Sequence, residues 1–235
     1  MSDAHASPAA TPVVELIDVS KRYPGEERFA LFDVNLEIHA GEFVAILGPS
    51  GAGKSTLLNI LGLVDRPTGG KVAVYGKAVD HLQEDERAAV RHSYLGFIFQ
   101  FHYLLPDLTV LENLLLPLLI NTPKSQEKTS PVTKVHDMLK NVGLMAKVNH
   151  YPHTLSGGER QRIAAARALI TGPALILADE PTGNLDTANA DLVWELLLQT
   201  NQLHNTAVVA ITHNEKLANS AKRVINLIDG RLGSL

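Results

Sequence analysis

The chain has 235 residues, with 21 basic and 25 acidic side chains, a formal net charge of −4 and no cysteine. This length accommodates one large domain or two small ones, and it suffices to bury a core without covalent cross-links. The absence of cysteine excludes disulfides and thiolate metal ligands, and the small negative charge provides no overall basic field for nucleic-acid binding.

The first twelve residues, MSDAHASPAATP, are small, polar and proline-containing. They have neither a basic start nor an apolar stretch of signal-peptide length, so we predict a disordered tail over residues 1–12. A single folded domain is predicted to follow over residues 13–235.

Six short segments have the composition of β-strands. Residues 13–19 and 32–38 mostly alternate apolar and polar residues, which is typical of half-buried strands. Residues 43–47, 174–178, 207–211 and 224–228 are almost continuously apolar, which indicates strands buried on both faces. The pattern predicts an α/β fold with a mostly parallel sheet covered by helices.

Residues 101–170 interrupt this rhythm, because strand signals vanish and helical stretches follow one another. We predict a helical subdomain inserted into the α/β core. Its most apolar run, residues 114–120 (LLLPLLI), contains Pro117 and is far shorter than the roughly 18 residues needed to cross a bilayer. The segment 101–120 is instead predicted to offer a docking groove to a partner, and the alternative is ordinary core of the helical subdomain.

The strongest chemical signal is GPSGAGKST, directly after the strand at 43–47 and before a helical stretch. Glycines allow backbone N–H groups to surround a triphosphate, and the helix N-terminus adds its dipole. Lys54 is predicted to reach the β- and γ-phosphates, and the Ser55 hydroxyl to ligate Mg²⁺. The predicted phosphate-binding residues are Gly48, Ser50, Gly51, Ala52, Gly53, Lys54, Ser55 and Thr56.

Two adjacent acids, Asp179 and Glu180, end the apolar strand at 174–178. We expect this strand to lie next to the strand at 43–47, so that Asp179 holds Mg²⁺ opposite Ser55. Glu180 is then available to orient or deprotonate an attacking water. The alternative is a solvated turn with helix-capping acids.

A second candidate anion site is LSGGERQR at residues 155–162, where Ser156, Gly157 and Gly158 precede a helical run. By itself this pattern fits a plain helix cap equally well. Together with GPSGAGKST and LADEP, in this order, it resembles the signature motif of ABC-type ATPases. The resemblance covers nearly the whole chain from residue 12 and implies a P-loop NTPase core with an N-terminal antiparallel β subdomain.

The resemblance also implies roles for four isolated residues. Tyr23 resembles the aromatic residue that stacks on adenine, and Gln100 the glutamine that touches Mg²⁺ and the attacking water. Asp186 resembles the loop acid that bonds across a dimer interface, and His213 the switch histidine at the γ-phosphate. ATP and Mg²⁺ are the implied cofactors, sandwiched between two copies of the chain. One departure is Asn214, where many relatives carry aspartate.

Within the family, the stretches LGFIFQFHYLLPDLTVLENLLLPLLI and ADEPTGNLD resemble the LolD/MacB/FtsE-like group of ATPase subunits. That resemblance implies two membrane subunits of the LolC/LolE type, a peripheral location at the cytoplasmic face of a bacterial inner membrane, and lipoprotein release as the work performed. An FtsE-like scaffold in cell division and the ATPase of a MacB-like exporter are the alternatives. No nucleic-acid partner is expected.

Overall fold

The computed structural model describes residues 11–120 and 129–233. The predicted tail therefore lies outside the described residues except for residues 11 and 12. The strands, in chain order, are β1 (Val14–Lys21), β2 (Leu31–Ile38), β3 (Phe43–Leu47), β4 (Gly69–Val74), β5 (Lys77–Ala78), β6 (Leu95–Phe99), β7 (Leu175–Asp179), β8 (Ala207–Ile211), β9 (Arg223–Ile228) and β10 (Arg231–Gly233). The α-helices are α1 (Lys54–Leu61), α2 (Glu84–Tyr94), α3 (Val110–Leu119), α4 (Pro131–Asn141), α5 (Gly157–Leu169), α6 (Thr187–His204) and α7 (Glu215–Ala218).

The first sheet is antiparallel and has the order β2-β1-β4-β5. Its strands alternate buried and exposed residues, as in β2, where every second residue from Val34 to Ile38 is buried. The buried face packs on α1 and on the second sheet in one hydrophobic cluster. This sheet confirms the antiparallel N-terminal unit that the family resemblance implied.

The second sheet has the order β10-β9-β3-β8-β7-β6. The strands from β9 to β6 are parallel, and β10 pairs antiparallel with β9 at the edge. Strands β3 and β8 are almost completely buried, because α1 and the first sheet cover one face and α5 and α6 cover the other. The α/β prediction is thereby confirmed.

One expectation about this sheet is wrong. The strand that ends at Asp179, β7, does not neighbour β3, because β8 lies between them and pairs with both. Continuous apolar runs identify central strands but carry no information on their order. The carboxyl ends of the parallel strands still meet at one edge of the sheet, so β7 and β3 deliver their terminal residues to the same place.

Helices α3, α4 and α5 lie between β6 and β7 in the chain and pack around a separate apolar core. Capping boxes fix where two of them begin: Thr109 accepts from the backbone of Glu112 at α3, and Ser156 accepts from that of Glu159 at α5. Leu104 is only 6% exposed and belongs to this core. The expectation that it lines a docking groove is therefore wrong for this residue.

Candidate active site

The loop between β3 and α1 has a backbone that only glycine tolerates at two positions. Gly53, the residue before α1, has a φ of 102°, and a Cβ there would lie 2.2 Å from the carbonyl oxygen of Ala30. A Cβ on Gly48 would lie 2.2 Å from the carbonyl oxygen of Leu227. Since neither position admits a side chain, the loop stays close to its neighbours and α1 begins directly behind it.

Lys54 lies at the start of α1 and its side chain folds back over this loop. Its Nζ donates to the carbonyl oxygens of Gly48 at 2.8 Å and of Pro49 at 2.9 Å. Only 8% of the residue is exposed. The ammonium group is therefore held inside the loop by two neutral acceptors, which leave its charge available to an anion.

Ser55 and Asp179 meet across the edge of the sheet, with the Ser55 hydroxyl donating to Oδ2 of Asp179 at 3.1 Å. Burial raises the pKa of the Asp179 carboxyl, and the charge of Glu180 raises it further, against the Ser55 hydrogen bond and the charges of Lys54 and His213, which lower it. A half-buried carboxylate beside a hydroxyl fits Mg²⁺, which proteins hold through one or two oxygens together with substrate phosphates. The pair thus has the donor set for the expected metal.

Glu180 follows directly and adopts a backbone conformation that is rare for a non-glycine residue, with a φ of 46°. Its N–H donates to the carbonyl oxygen of Ile211 at 3.0 Å, which fixes the residue against the end of β8. Nε2 of His213 lies 2.7 Å from Oε1 of Glu180. In this conformation the imidazole N–H donates to the carboxylate, so the two predicted residues are in direct contact.

The residue after this histidine, Asn214, takes the position where many relatives carry aspartate. Its Oδ1 accepts from the backbone of Leu217 at 3.2 Å, at the start of α7. Its own N–H donates to the Thr212 hydroxyl at 3.1 Å. Because asparagine and aspartate cap helices about equally well, the departure preserves the local structure.

Gln100 approaches the same carboxylate from the end of β6. A Cβ on Gly183 would lie 3.3 Å from both Nε2 of Gln100 and Oε2 of Glu180. Gln100 also donates to Oδ1 of Asn184 at 3.4 Å. The amide and the carboxylate therefore converge at Gly183, a residue that the sequence analysis quoted within ADEPTGNLD without assigning it a role.

Tyr23 reaches the start of α1 from the loop after β1. Its hydroxyl lies 3.4 Å from Oγ1 of Thr56, and the Nζ of Lys21 lies 4.8 Å from the centre of its ring. Lys21 itself is anchored to Asp65 at 2.7 Å. The aromatic ring is thus placed beside the phosphate loop.

The turn that opens α5 lies in a different environment. Oγ of Ser156 accepts from the backbone of Glu159 at 3.2 Å, and Ser156 donates its own N–H to the Glu159 carboxylate at 2.8 Å. Because the hydroxyl acts as an acceptor there, its proton remains available to another group. In the described residues, no hydrogen bond joins Ser156, Gly157 or Gly158 to the loop at 48–56.

Two further residues of α5 hold the segment around Gln100, and the sequence analysis did not single them out. Gln161, only 3% exposed, donates to the carbonyl oxygen of Phe99 at 2.8 Å. Arg167 donates to the carbonyl oxygens of His102 at 3.1 Å and Tyr103 at 2.9 Å. Neither residue carries a sequence signal of this role, because both act on backbone that lies more than sixty residues away in the chain.

Comparisons with known proteins identify the family to which this fold belongs. The family model described as ABC transporter matches residues 31–183. Two solved structures of the ATP-binding cassette MJ0796 are similar to this chain. One is a dimeric post-hydrolysis state bound to ADP and Pi and is 41% identical to this chain. The other is described as a dimeric bacterial ABC transporter cassette and is 42% identical. Each has a TM-score of 0.86 and covers 93% of this chain and 96% of its own.

A third similar structure is CbiO1 from Clostridium perfringens, part of the ABC transporter complex CbiONQ, with a TM-score of 0.83. It is 24% identical and covers 95% of this chain and 87% of its own, so it supports the fold alone. The family match and the MJ0796 structures carry the assignment. This chain belongs to the ABC transporter family, as an ATP-binding cassette that binds ATP with Mg²⁺ and hydrolyses it.

Proposed function

We propose that this chain powers a bacterial ABC transporter that releases lipoproteins from the inner membrane, together with membrane subunits of the LolC/LolE type. It acts at the cytoplasmic face of that membrane as a peripheral subunit. The stretches LGFIFQFHYLLPDLTVLENLLLPLLI and ADEPTGNLD resemble LolD, the ATPase subunit of the lipoprotein-releasing transporter, and this resemblance supports the choice of transporter. No helix in the described residues is long and apolar enough to cross a bilayer.

The main observation in favour of a membrane partner is a set of exposed apolar side chains that begins immediately after Gln100. Phe101 is 63% exposed and Tyr103 is 62% exposed, although Arg167 fixes the backbone between them. Large apolar side chains held in water on a fixed backbone are typical of a binding surface. We define the docking surface by Phe101, Tyr103, Leu105, Leu116, Leu119 and Ile120.

In the proposed reaction, the loop at 48–56 and Lys54 bind the phosphates while Tyr23 stacks on the base. Ser55, Asp179 and Gln100 would hold Mg²⁺, which would supply positive charge to the phosphates. Glu180 orients a water molecule and accepts its proton. Because His213 contacts Oε1 of Glu180, Oε2 is the oxygen that faces the water, and the imidazole is proposed to turn to the γ-phosphate when nucleotide binds.

The second half of the site is supplied by another copy of the chain. Its Ser156, Gly157 and Gly158 close over the γ-phosphate, so that the nucleotide becomes part of the dimer interface. Closure performs the work, and hydrolysis reopens the dimer. The dimeric MJ0796 structures support this arrangement.

A matched pair of variants tests the docking surface. Leu105 is 42% exposed and Leu104 is 6% exposed. Leu105→Ser should keep the melting temperature and basal ATP hydrolysis, yet weaken assembly with LolC/LolE-type subunits in detergent. Leu104→Ser should instead lower the melting temperature, because it places a hydroxyl in the core. If a double variant with Leu105→Ser and Phe101→Ser assembles normally, the membrane subunits do not bind at the docking surface.

The choice among transporters needs a separate assay. Vesicles containing LolC/LolE-type subunits and an acylated lipoprotein should release the lipoprotein when this chain and ATP·Mg²⁺ are added. The chain could fail to assemble with these subunits and instead be recovered from native membranes with a cell-division membrane protein or a MacB-like exporter. That result would favour the FtsE-like or the MacB-like alternative.

A further inference from the structure

Asn189, in the first turn of α6, holds both oxygens of the Asp186 carboxylate. Its backbone N–H donates to Oδ1 at 3.0 Å, and its side-chain Nδ2 donates to Oδ2 at 2.7 Å. These bonds lower the pKa of Asp186, the backbone bond most strongly. The acid that the family resemblance assigns to the dimer interface therefore cannot turn without breaking the contact with Asn189.

The opposite side of the same amide contacts α5. Oδ1 of Asn189 accepts from Nη1 of Arg162 at 3.3 Å. An amide that donates to a carboxylate and accepts from a guanidinium has only one orientation that satisfies both partners. The Asn189 side chain is therefore fixed at both ends, between the loop of Asp186 and the helix that begins at Gly157.

Gly158 lies directly against this side chain. A Cβ on Gly158 would lie 2.2 Å from Cγ and Oδ1 of Asn189 and 2.7 Å from its Nδ2. A free asparagine would rotate away from such a methyl group, but here rotation breaks the bonds to Asp186 and Arg162. A Cβ on Gly157 would meet nothing within 4 Å, so the two glycines of the turn differ.

We infer that Asn189 is a positioning residue that locks the Asp186 loop to the Gly158 turn within one subunit, so that both partner-facing groups move as one unit. Gly158 is then required by Asn189 as well as by any nucleotide. This inference rests on the proposed roles of Asp186 and of the turn at 156–158 in the dimer, which supply the reason for locking them together.

The test is a double-mutant cycle of Gly158→Ala and Asn189→Ala in a Glu180→Gln background, which retains ATP. Two quantities are measured on the full chain: the melting temperature without nucleotide, and the dimer dissociation constant with ATP·Mg²⁺ by sedimentation. Gly157→Ala, alone and combined with Asn189→Ala, is the matched control, because a Cβ there would meet no atom of the described residues within 4 Å beyond its own helix backbone and chain neighbours.

Gly158→Ala should lower the melting temperature, although alanine favours helix, and adding Asn189→Ala should restore most of the loss. Asn189→Ala alone should weaken the ATP-dependent dimer by about tenfold or more, because it removes the side-chain bonds to both Asp186 and Arg162. The Gly157→Ala effect should be independent of residue 189.

Additive effects of the two changes on the melting temperature would overturn the steric contact. A normal dimer in Asn189→Ala would overturn the positioning role even if the melting temperatures are coupled. If the Glu180→Gln parent itself stays monomeric with ATP·Mg²⁺, the proposed site shared between two subunits is wrong. The parent protein thus tests the proposed function, and the double-mutant cycle tests the role of Asn189.

Discussion

Asp179 shows how a binding site retains a group that destabilises the empty protein. Its carboxylate is half-buried, adjacent to Glu180, and satisfied by one hydroxyl from Ser55. A carboxyl whose pKa is raised by folding costs stability whenever it is ionised, that is, at pH values above its unfolded pKa. Mg²⁺ reverses this cost when it binds, because it supplies the missing positive charge.

Asp179→Asn should therefore raise the melting temperature of the nucleotide-free chain by a few degrees, because asparagine still accepts from Ser55 without carrying charge. The sign follows from the raised pKa: the gain should grow as the pH rises from the unfolded pKa through the folded pKa, so it should not be smaller at pH 7.5 than at pH 5. ATP·Mg²⁺ should stabilise the variant less than the parent. Scanning calorimetry at both pH values, with and without ATP·Mg²⁺, measures this, and a variant that melts lower at pH 7.5 would contradict the account.

Lys54 has a different status, because its charge is held by the carbonyl oxygens of Gly48 and Pro49 and not by an acid. Lys54→Ala should weaken ATP binding roughly 10- to 150-fold, which corresponds to about 1.5–3 kcal/mol for a charge-assisted bond. Calorimetric titration with ATP·Mg²⁺ measures the change. Lys77→Ala, at an exposed position of β5, is the control and should bind normally. Unchanged affinity in Lys54→Ala would remove the phosphate role.

At the scale of elements, a single buried amide organises the turn that leads into α3. Asn113 is fully buried, accepts from the backbone of Leu105 at 2.9 Å and donates to the carbonyl oxygens of Leu105, Leu108 and Thr109. The turn presents Leu105 of the docking surface to solvent while Leu104 stays in the core. Asn113 thus determines which leucine is available to a partner.

Asn113→Ala should lower the melting temperature by about 2–12 °C, because it leaves the backbone N–H of Leu105 without its acceptor and removes three bonds to carbonyl oxygens of the turn, at a cost of about 1–3 kcal/mol. Asn141→Ala, at the exposed end of α4, is the matched control and should melt like the parent. Equal melting temperatures for all three proteins would show that water replaces the lost bonds.

The success of sequence patterns also differs between elements. Strands β3 and β8 have the predicted bounds, because short continuous apolar runs bounded by polar residues are unambiguous. The short strand β4 was not predicted, since its residues 69–71 are glycine, glycine and lysine and its pairing with β1 is set by distant residues. The order of the parallel strands was also inaccessible, because it depends on which strands pair and not on their composition.

The candidate site follows the same rule. The glycine-rich loop, Asp179 and Glu180 are recognisable because their chemistry requires fixed spacing along one segment. Gln161, Arg167 and Asn189 act through contacts with residues that are distant in the chain, such as Phe99 and His102. Their roles depend on tertiary proximity, which periodicity and motif spacing do not encode.

At the scale of the whole molecule, the described contacts divide the predicted site into two halves. Lys54, Asp179, Glu180 and His213 converge at the edge of the parallel sheet. Ser156 makes its hydrogen bonds within the first turn of α5. On the proposed function, a second copy of the chain supplies the missing half of the site. Nucleotide-dependent dimerisation is therefore the central claim.

The mass of Glu180→Gln in solution tests this claim most directly. Glutamine keeps the hydrogen-bonding shape of the side chain but cannot accept a proton from water, so turnover should fall about 10²- to 10⁴-fold while ATP·Mg²⁺ stays bound. Light scattering on a sizing column should show a monomer without nucleotide or with ADP, and a dimer with ATP·Mg²⁺. A monomer in all three conditions, at concentrations where ATP is bound, would contradict the shared site.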